Sequence, residues 1–241
     1  MSDKFVPNFA ASRLYEDGTE SGSTQIAAQD TDITGRDVAS DSQVHLRVRI
    51  DETGSGSIAG ASTDDWTCEY RLNGGGSWVT ITTTSSAVQT DTASSLTDTS
   101  ATTDRAVDGI SAGGGSFLAG VQEDGNGEIT DFQHTADNHT EHVFAILLIS
   151  SVLNDADALT FRVALNGSSI AAGVVPSITV SKASDTEVIT NVDALALTDG
   201  SSTRANIDRA ITTNVDALTL TEPTASIDRA ITTNVDALTL S

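Results

Sequence analysis

The chain has 241 residues, with 34 acids against 12 lysines and arginines, for a formal net charge of −22. The length suits one large domain, or one domain with an appendage. The charge excludes a self-standing nucleic-acid binder or a binder of anionic membranes, because phosphate contacts need clustered Lys and Arg; the lone cysteine, Cys68, excludes an intrachain disulfide and a Cys-based zinc site.

In chain order, Met1 to Pro7 contains no apolar stretch of the signal-peptide kind, which predicts synthesis in the cytoplasm. Phe9 to Tyr15 reads as a strand entering a turn at Glu16 to Glu20. From Val44 the period is two: Val44, Leu46, Val48 and Ile50 alternate with His45, Arg47 and Arg49, so one face is expected in a core and the other in water. Trp66, Cys68, Tyr70 and Leu72 repeat that alternation. After Asn73-Gly74-Gly75-Gly76 the chain resumes at Trp78 to Ile81, which predicts a hairpin.

Residues 82–103 read as loop with one short strand at Ser86 to Thr90, and Gly113-Gly114-Gly115 marks a break before Phe117 to Val121. Further strands are expected at His142 to Ile149, Leu159 to Leu165 and Ser177 to Val180. The longest apolar run, Val143 to Ile149, is of strand length and falls well short of the roughly 18 residues of a membrane span, so no membrane insertion is expected. No segment keeps a 3.6-residue period over three turns.

Short strands between Gly, Asn, Asp and Ser clusters predict an all-β fold: an antiparallel β-sandwich, immunoglobulin-like or jelly roll, followed by a short β-repeat arm or shaft. The domain reading is an N-terminal segment, 1–40, joining the sandwich; the sandwich itself, 41–181; and C-terminal repeats, 182–241. Residues 207–220 and 227–240 are identical, and a diverged third copy ends in Thr190 to Leu197, so the units end near 197, 220 and 240.

Each repeat reads as two short strands, one through Leu218 to Leu220 and another through Ile227 to Ile231, with a turn near Glu222-Pro223 between them. An isolated two-stranded ribbon is marginal in water. Such units either stack on one another as a small solenoid or knit with ribbons of neighbouring chains. The residues expected to form an oligomer interface are Ile207, Ile211, Val215, Leu218, Leu220, Ile227, Ile231, Val235, Leu238 and Leu240.

Two clusters invite a metal. Asp124, Asn126 and Glu128 place oxygen ligands on a Gly-containing turn, which hard cations such as Ca2+ or Mg2+ prefer. The EF-hand pattern fails there, since Ile129 stands where a Gly is needed, and a plain acidic loop is the alternative. His134, Asn138, His139, Glu141 and His142 match no strict metal motif and read as a solvated turn before the apolar strand. No nucleophile elbow, phosphate loop or dinucleotide fingerprint occurs, so neither enzymatic activity nor a resident cofactor is expected. Trp66, Tyr70 and Trp78 are candidates for stacking on a sugar, although Trp66 and Tyr70 share the phase of Cys68 and Leu72 and so read as core.

Twenty-five of the 34 acids are Asp, and the only lysines are Lys4 and Lys182. With abundant Thr, Ala, Ser and Gly, this composition resembles that of proteins from extreme halophiles. Tyr15 to Glu20, Leu46 to Ile50, the hairpin Tyr70 to Trp78 and Leu159 to Val163 resemble a β-sandwich module of phage and bacterial surface proteins, and the repeats around Asp216 to Thr221 resemble those following such modules in virion proteins.

The resemblance implies a structural protein on the surface of a tailed virus, of haloarchaea on the composition. It would serve as capsid decoration, turret or spike, assemble as a trimer or pentamer, and contact other virion proteins such as the major capsid protein. A tail fibre or baseplate protein, and an adhesin binding host surface glycans, are the alternatives.

Overall fold

The computed structural model describes residues 5–58, 64–105, 110–111, 113–172, 176–182, 194–198, 217–221 and 237–240. The chain forms two compact units, Met1–Lys182 and Ala183–Ser241. All regular structure among the described residues is β-strand.

In the first unit, β1 (Pro7–Glu16), β3 (Ser42–Glu52) and β9 (Asn138–Leu148) are long antiparallel neighbours. They are flanked by β12 (Ala171–Ala172) on β1, and by β6 (Val88–Thr90) and β7 (Ser116–Glu123), which both pair with β9. The second sheet runs β2 (Ile33–Asp37), β13 (Ser177–Ser181), β10 (Ala158–Leu165), β4 (Trp66–Leu72) and β5 (Val79–Thr80). Two further short strands extend it, β11 (Ser168–Ser169) on β10 and β8 (Glu128–Ile129) on β4.

The two sheets pack face to face as a β-sandwich. Val44, Leu46, Val48, Ile50, Phe144 and Ile146 of the first meet Trp66, Cys68, Tyr70, Phe161, Val163 and Ile178 of the second in one buried cluster. These are the residues in apolar phase along their strands, and burying each of the larger ones contributes about 1.5–3 kcal/mol. The expected hairpin is present, with Tyr70 of β4 abreast of Val79 of β5.

The sheets are mixed rather than purely antiparallel. β12 lies parallel to β1, β2 to β13, and β7 to β9. Parallel pairing needs a long crossover between partners, and residues 38–176 and 17–170 supply two of these. The β7–β9 pairing breaks register between Ala119 and Gln122. Gly120 sits in that break, where an added Cβ would lie 2.0 Å from the Glu141 carbonyl oxygen, so only glycine lets the backbones approach.

The largest departure from the sequence reading is the far side of β3. His45, Arg47 and Arg49 alternate with core residues and were expected in water, yet His45 and Arg47 are buried and Arg49 is nearly so. Residues 17–30, 91–105 and 110–111 fold over this face as a third layer. Ser95 bonds Asp17, Arg47 and Thr103 bond Glu20, and Leu96 packs on Val143 and Ala145.

The polar stretch ahead of Val143 is likewise strand rather than solvated turn. β9 begins at Asn138, pairs with β3 from His139 onward, and buries His139, Thr140, Glu141 and His142.

The second unit contains β14 (Ala194–Thr198), β15 (Ala217–Thr221) and β16 (Ala237–Leu240) as a parallel sheet in that order. Leu195, Leu218 and Leu238 stand abreast, as do Leu197, Leu220 and Leu240. The described residues thus hold one strand per repeat, and the units pair across repeats. The expected second strand through Ile227 and Ile231, and the turn at Glu222-Pro223, lie outside the described residues, as do Ile207, Ile211, Val215 and Val235.

Candidate functional site

The acidic loop is built around Glu123 rather than around the three residues singled out as cation ligands. Glu123 Oε1 accepts the backbone N–H groups of Gly125, Asn126 and Gly127 at 3.0, 2.7 and 2.6 Å. Asp124 accepts from Ser94 Oγ, and Asn126 Oδ1 accepts from the Glu128 N–H, so these two side chains are engaged in holding the turn. Burial pushes the carboxyls of Glu123 and Asp124 above their ordinary range, and the nearby Asp98 adds to the effect. Among the described residues no group of three or more His, Cys, Asp or Glu is placed to hold a metal ion.

The histidines divide between the two faces of β9. His142 shares the phase of Phe144 and points into the core, 4.6 Å from the Phe132 ring and 5.6 Å from that of Trp66. Its Nδ1 accepts the Val121 N–H at 3.1 Å, which assigns the ring proton to Nε2. Burial pushes its pKa down to about 3, with His134 contributing. His139 and Glu141 lie on the opposite face, which is the face of Arg47. The five residues that suggested a metal therefore do not form one cluster.

Beneath the third layer, Arg47 forms the centre of an ionic network. Its Nε donates to Glu141 at 2.5 Å and its Nη1 to Glu20 at 2.6 Å, and its Nη2 donates to the Thr103 carbonyl. Burial pushes Glu141 upward, opposed by Arg47. Glu20 is also pushed up by burial, but its bonds from Arg47 and Thr103 outweigh this and leave it lowered. His45, 3.1 Å from Asp17, is held below its ordinary value by burial, which Asp17 only partly offsets. Through Arg47, Glu20 and Thr103, and separately through His45 and Asp17, these contacts tie residues 17–30 and 91–105 to the sheet.

The outer face of the second sheet is of another kind. Trp66 and Tyr70 are buried in the core, whereas Trp78 is half-buried and lies outside it. Since Val79 stands opposite Tyr70, one step further along the hairpin puts Trp78 opposite Arg71. The Arg71 guanidinium is 4.9 Å from the Trp78 ring centroid and that of Arg162 is 4.4 Å from it.

Cross-strand rows complete this face. Thr80, Glu69 and Arg162 stand abreast on β5, β4 and β10, and Arg71, Thr160 and Ser177 stand abreast on β4, β10 and β13. Arg162 Nε donates to Glu69 at 2.5 Å. Arg71 has no carboxylate within ion-pair distance among the described residues, and its buried Nε has no acceptor. The phase shared with Cys68 and Leu72 already sets Trp66 and Tyr70 apart as core, and hairpin register adds that Trp78 is in the phase of Glu69 and Arg71.

The fold defines the first unit as an all-β sandwich with an outer face on one sheet covered by residues 17–30 and 91–105, and a cationic–aromatic outer face on the other. Comparison with protein families, with curated proteins and with solved structures finds no match.

Proposed function

We propose that the protein is a structural component exposed on a virus particle, a capsid decoration, turret or spike, whose C-terminal repeats join copies of the chain. The observation that carries this reading is the in-register parallel alignment of β14, β15 and β16. β15 already accepts β16 along one edge, and the segments 217–220 and 237–240 are identical in sequence. Among the described residues, β16 pairs with no further strand, so it offers a neighbouring chain an edge of the same sequence as the one it occupies.

Such an edge-to-edge contact is head-to-tail, and it closes into a ring when the rotation per subunit allows it. A trimer or pentamer meets that condition, and display of many sandwiches raises avidity for a surface without a deep pocket. The acidic, Asp-rich surface fits crowding of copies in concentrated salt, where charge repulsion is screened within about 3 Å at 1 M.

The test is gold labelling of purified particles with an antibody to residues 1–182. Label on the heads supports the decoration reading, label on the tails moves the protein to the fibre or baseplate alternative, and unlabelled particles with label only in lysate refute a virion role.

A further inference from the structure

We infer that the outer face around Arg71, Trp78 and Arg162 binds a carboxylate-bearing saccharide. This site is independent of the assembly role of the repeats.

The inference rests first on a cation that lies against the Trp78 ring but has no carboxylate within ion-pair distance among the described residues. In a chain with 34 acids, Arg71 lies on a sheet face with no carboxylate in ion-pair range among the described residues, and its Nε is buried without an acceptor. Leaving a guanidinium so placed costs free energy unless something supplies the acceptor. Arg162, diagonal to it across β4 and β10, spends its Nε on Glu69. Glu69 and Glu128, the latter abreast of Thr67, are the carboxylates that the paired strands place on this face, and neither lies within ion-pair distance of Arg71, so Arg71 is the point on a strongly negative molecule where an anion finds a cation without a carboxylate. A guanidinium fork matches a planar carboxylate with two parallel N–H···O bonds.

The second ground is the company these arginines keep. Both guanidiniums lie against the Trp78 ring, and the part of this half-buried ring that they leave exposed provides an aromatic surface of the kind that covers the C–H face of a pyranose, while Thr80 and Thr160 stand in the adjoining cross-strand rows, where hydroxyls can exchange hydrogen bonds with ring hydroxyls. Glu69, anchored by Arg162, adds an acceptor for a sugar hydroxyl. The loop that leads to Trp78 leaves the approach open: a Cβ at Gly74, Gly75 or Gly76 would meet nothing within 4 Å. A nucleic acid could also stack on Trp78, but its repeated phosphates would face the net charge of −22 around the site.

The test titrates the full chain with hexagalacturonate, in salt at which the protein is folded, following heat of binding and tryptophan fluorescence. Trp66 and Trp78 are the only tryptophans, and Trp66 is in the core, so a fluorescence change reports Trp78. Saturable binding is expected, weakened about tenfold by Arg71→Gln and abolished by Trp78→Ala. Trp78→Phe keeps an aromatic face, so it retains binding by heat while losing the fluorescence response. The methyl-esterified hexasaccharide and neutral maltohexaose are expected to bind at least an order of magnitude more weakly, and the monomer galacturonate less tightly than the hexamer. Absence of saturable binding, equal binding of the methyl ester, unchanged affinity in a folded Arg71→Gln protein, or tighter binding of an oligothymidylate each overturns the assignment.

Discussion

Arg47 donates its Nε to Glu141 across the outer face of the β3–β9 pair at 2.5 Å, with the two side chains 1% and 0% exposed. The partners are 94 residues apart in the chain, and the pair is buried because residues 17–30 and 91–105 close over it. Breaking a buried ion pair by removing one member costs about 3–5 kcal/mol, since it strands the other charge, while replacing both with apolar residues is often neutral. Arg47→Met is therefore expected to lower unfolding free energy by about that amount, and Arg47→Met with Glu141→Leu to restore most of it. Denaturant unfolding of the three proteins decides this. A double variant as unstable as the single one would show that Arg47 acts through packing or through Glu20 instead.

His142 predicts a pH dependence of defined sign. Its pKa is lowered by burial to about 3 in the folded chain, so the unfolded chain takes up the proton first as pH falls. Its contribution is complete above the ordinary value of about 6.5 and declines as pH drops, by about 1.4 kcal/mol per unit. His45 and His134, lowered by burial as well, act in the same direction. Between pH 7 and pH 5 the wild type is expected to lose about 2 kcal/mol through His142 alone. His142→Asn, which keeps an acceptor for the Val121 N–H without titrating, should lose less by that difference. Equal losses in the two proteins contradict the assignment of a neutral core imidazole.

Salt should stabilise the fold. With a net charge of −22, self-repulsion at low ionic strength opposes the compact state, and molar salt shortens its range to about 3 Å. The melting temperature is expected to climb between about 0.1 M and 2 M KCl. A flat or falling trend would count against the halophile reading of the composition.

Gly120→Ala probes the close contact between β7 and β9. A methyl group 2.0 Å from the Glu141 carbonyl oxygen forces the strands apart, and β7 carries the Gln122 and Glu123 groups that hold residues 97–101 and the acidic turn. A loss of about 2–4 kcal/mol is expected, in the range of overpacking with backbone displacement, together with faster amide exchange in residues 97–103. Unchanged stability would mean that β7 shifts freely.

The core was legible because alternation states it directly: Leu46, Val48 and Ile50, or Trp66, Cys68 and Tyr70, occupy one phase and are buried together. The third layer was not. His45, Arg47 and Arg49 are the residue types a wet face also carries, and the segments that cover them have the composition of loops. The phase of His142, two residues ahead of Phe144 and four ahead of Ile146, was the available sign that β9 begins earlier than its apolar run. Parallel pairings such as β1 with β12 join residues more than 160 apart and leave no local pattern. The phase of Trp66 and Tyr70 marked them as core, and the hairpin register then puts Trp78 opposite Arg71. The repeats, by contrast, announce themselves through sequence identity, and their strands fall in the register that identity implies.

Mass in solution tests the assembly role most directly. The full chain and a chain ended after Lys182 are measured by sedimentation equilibrium in molar KCl. The proposed role predicts a trimer or pentamer for the full chain and a monomer for the shortened one. A monomeric full chain, or the same oligomer from both, would contradict it.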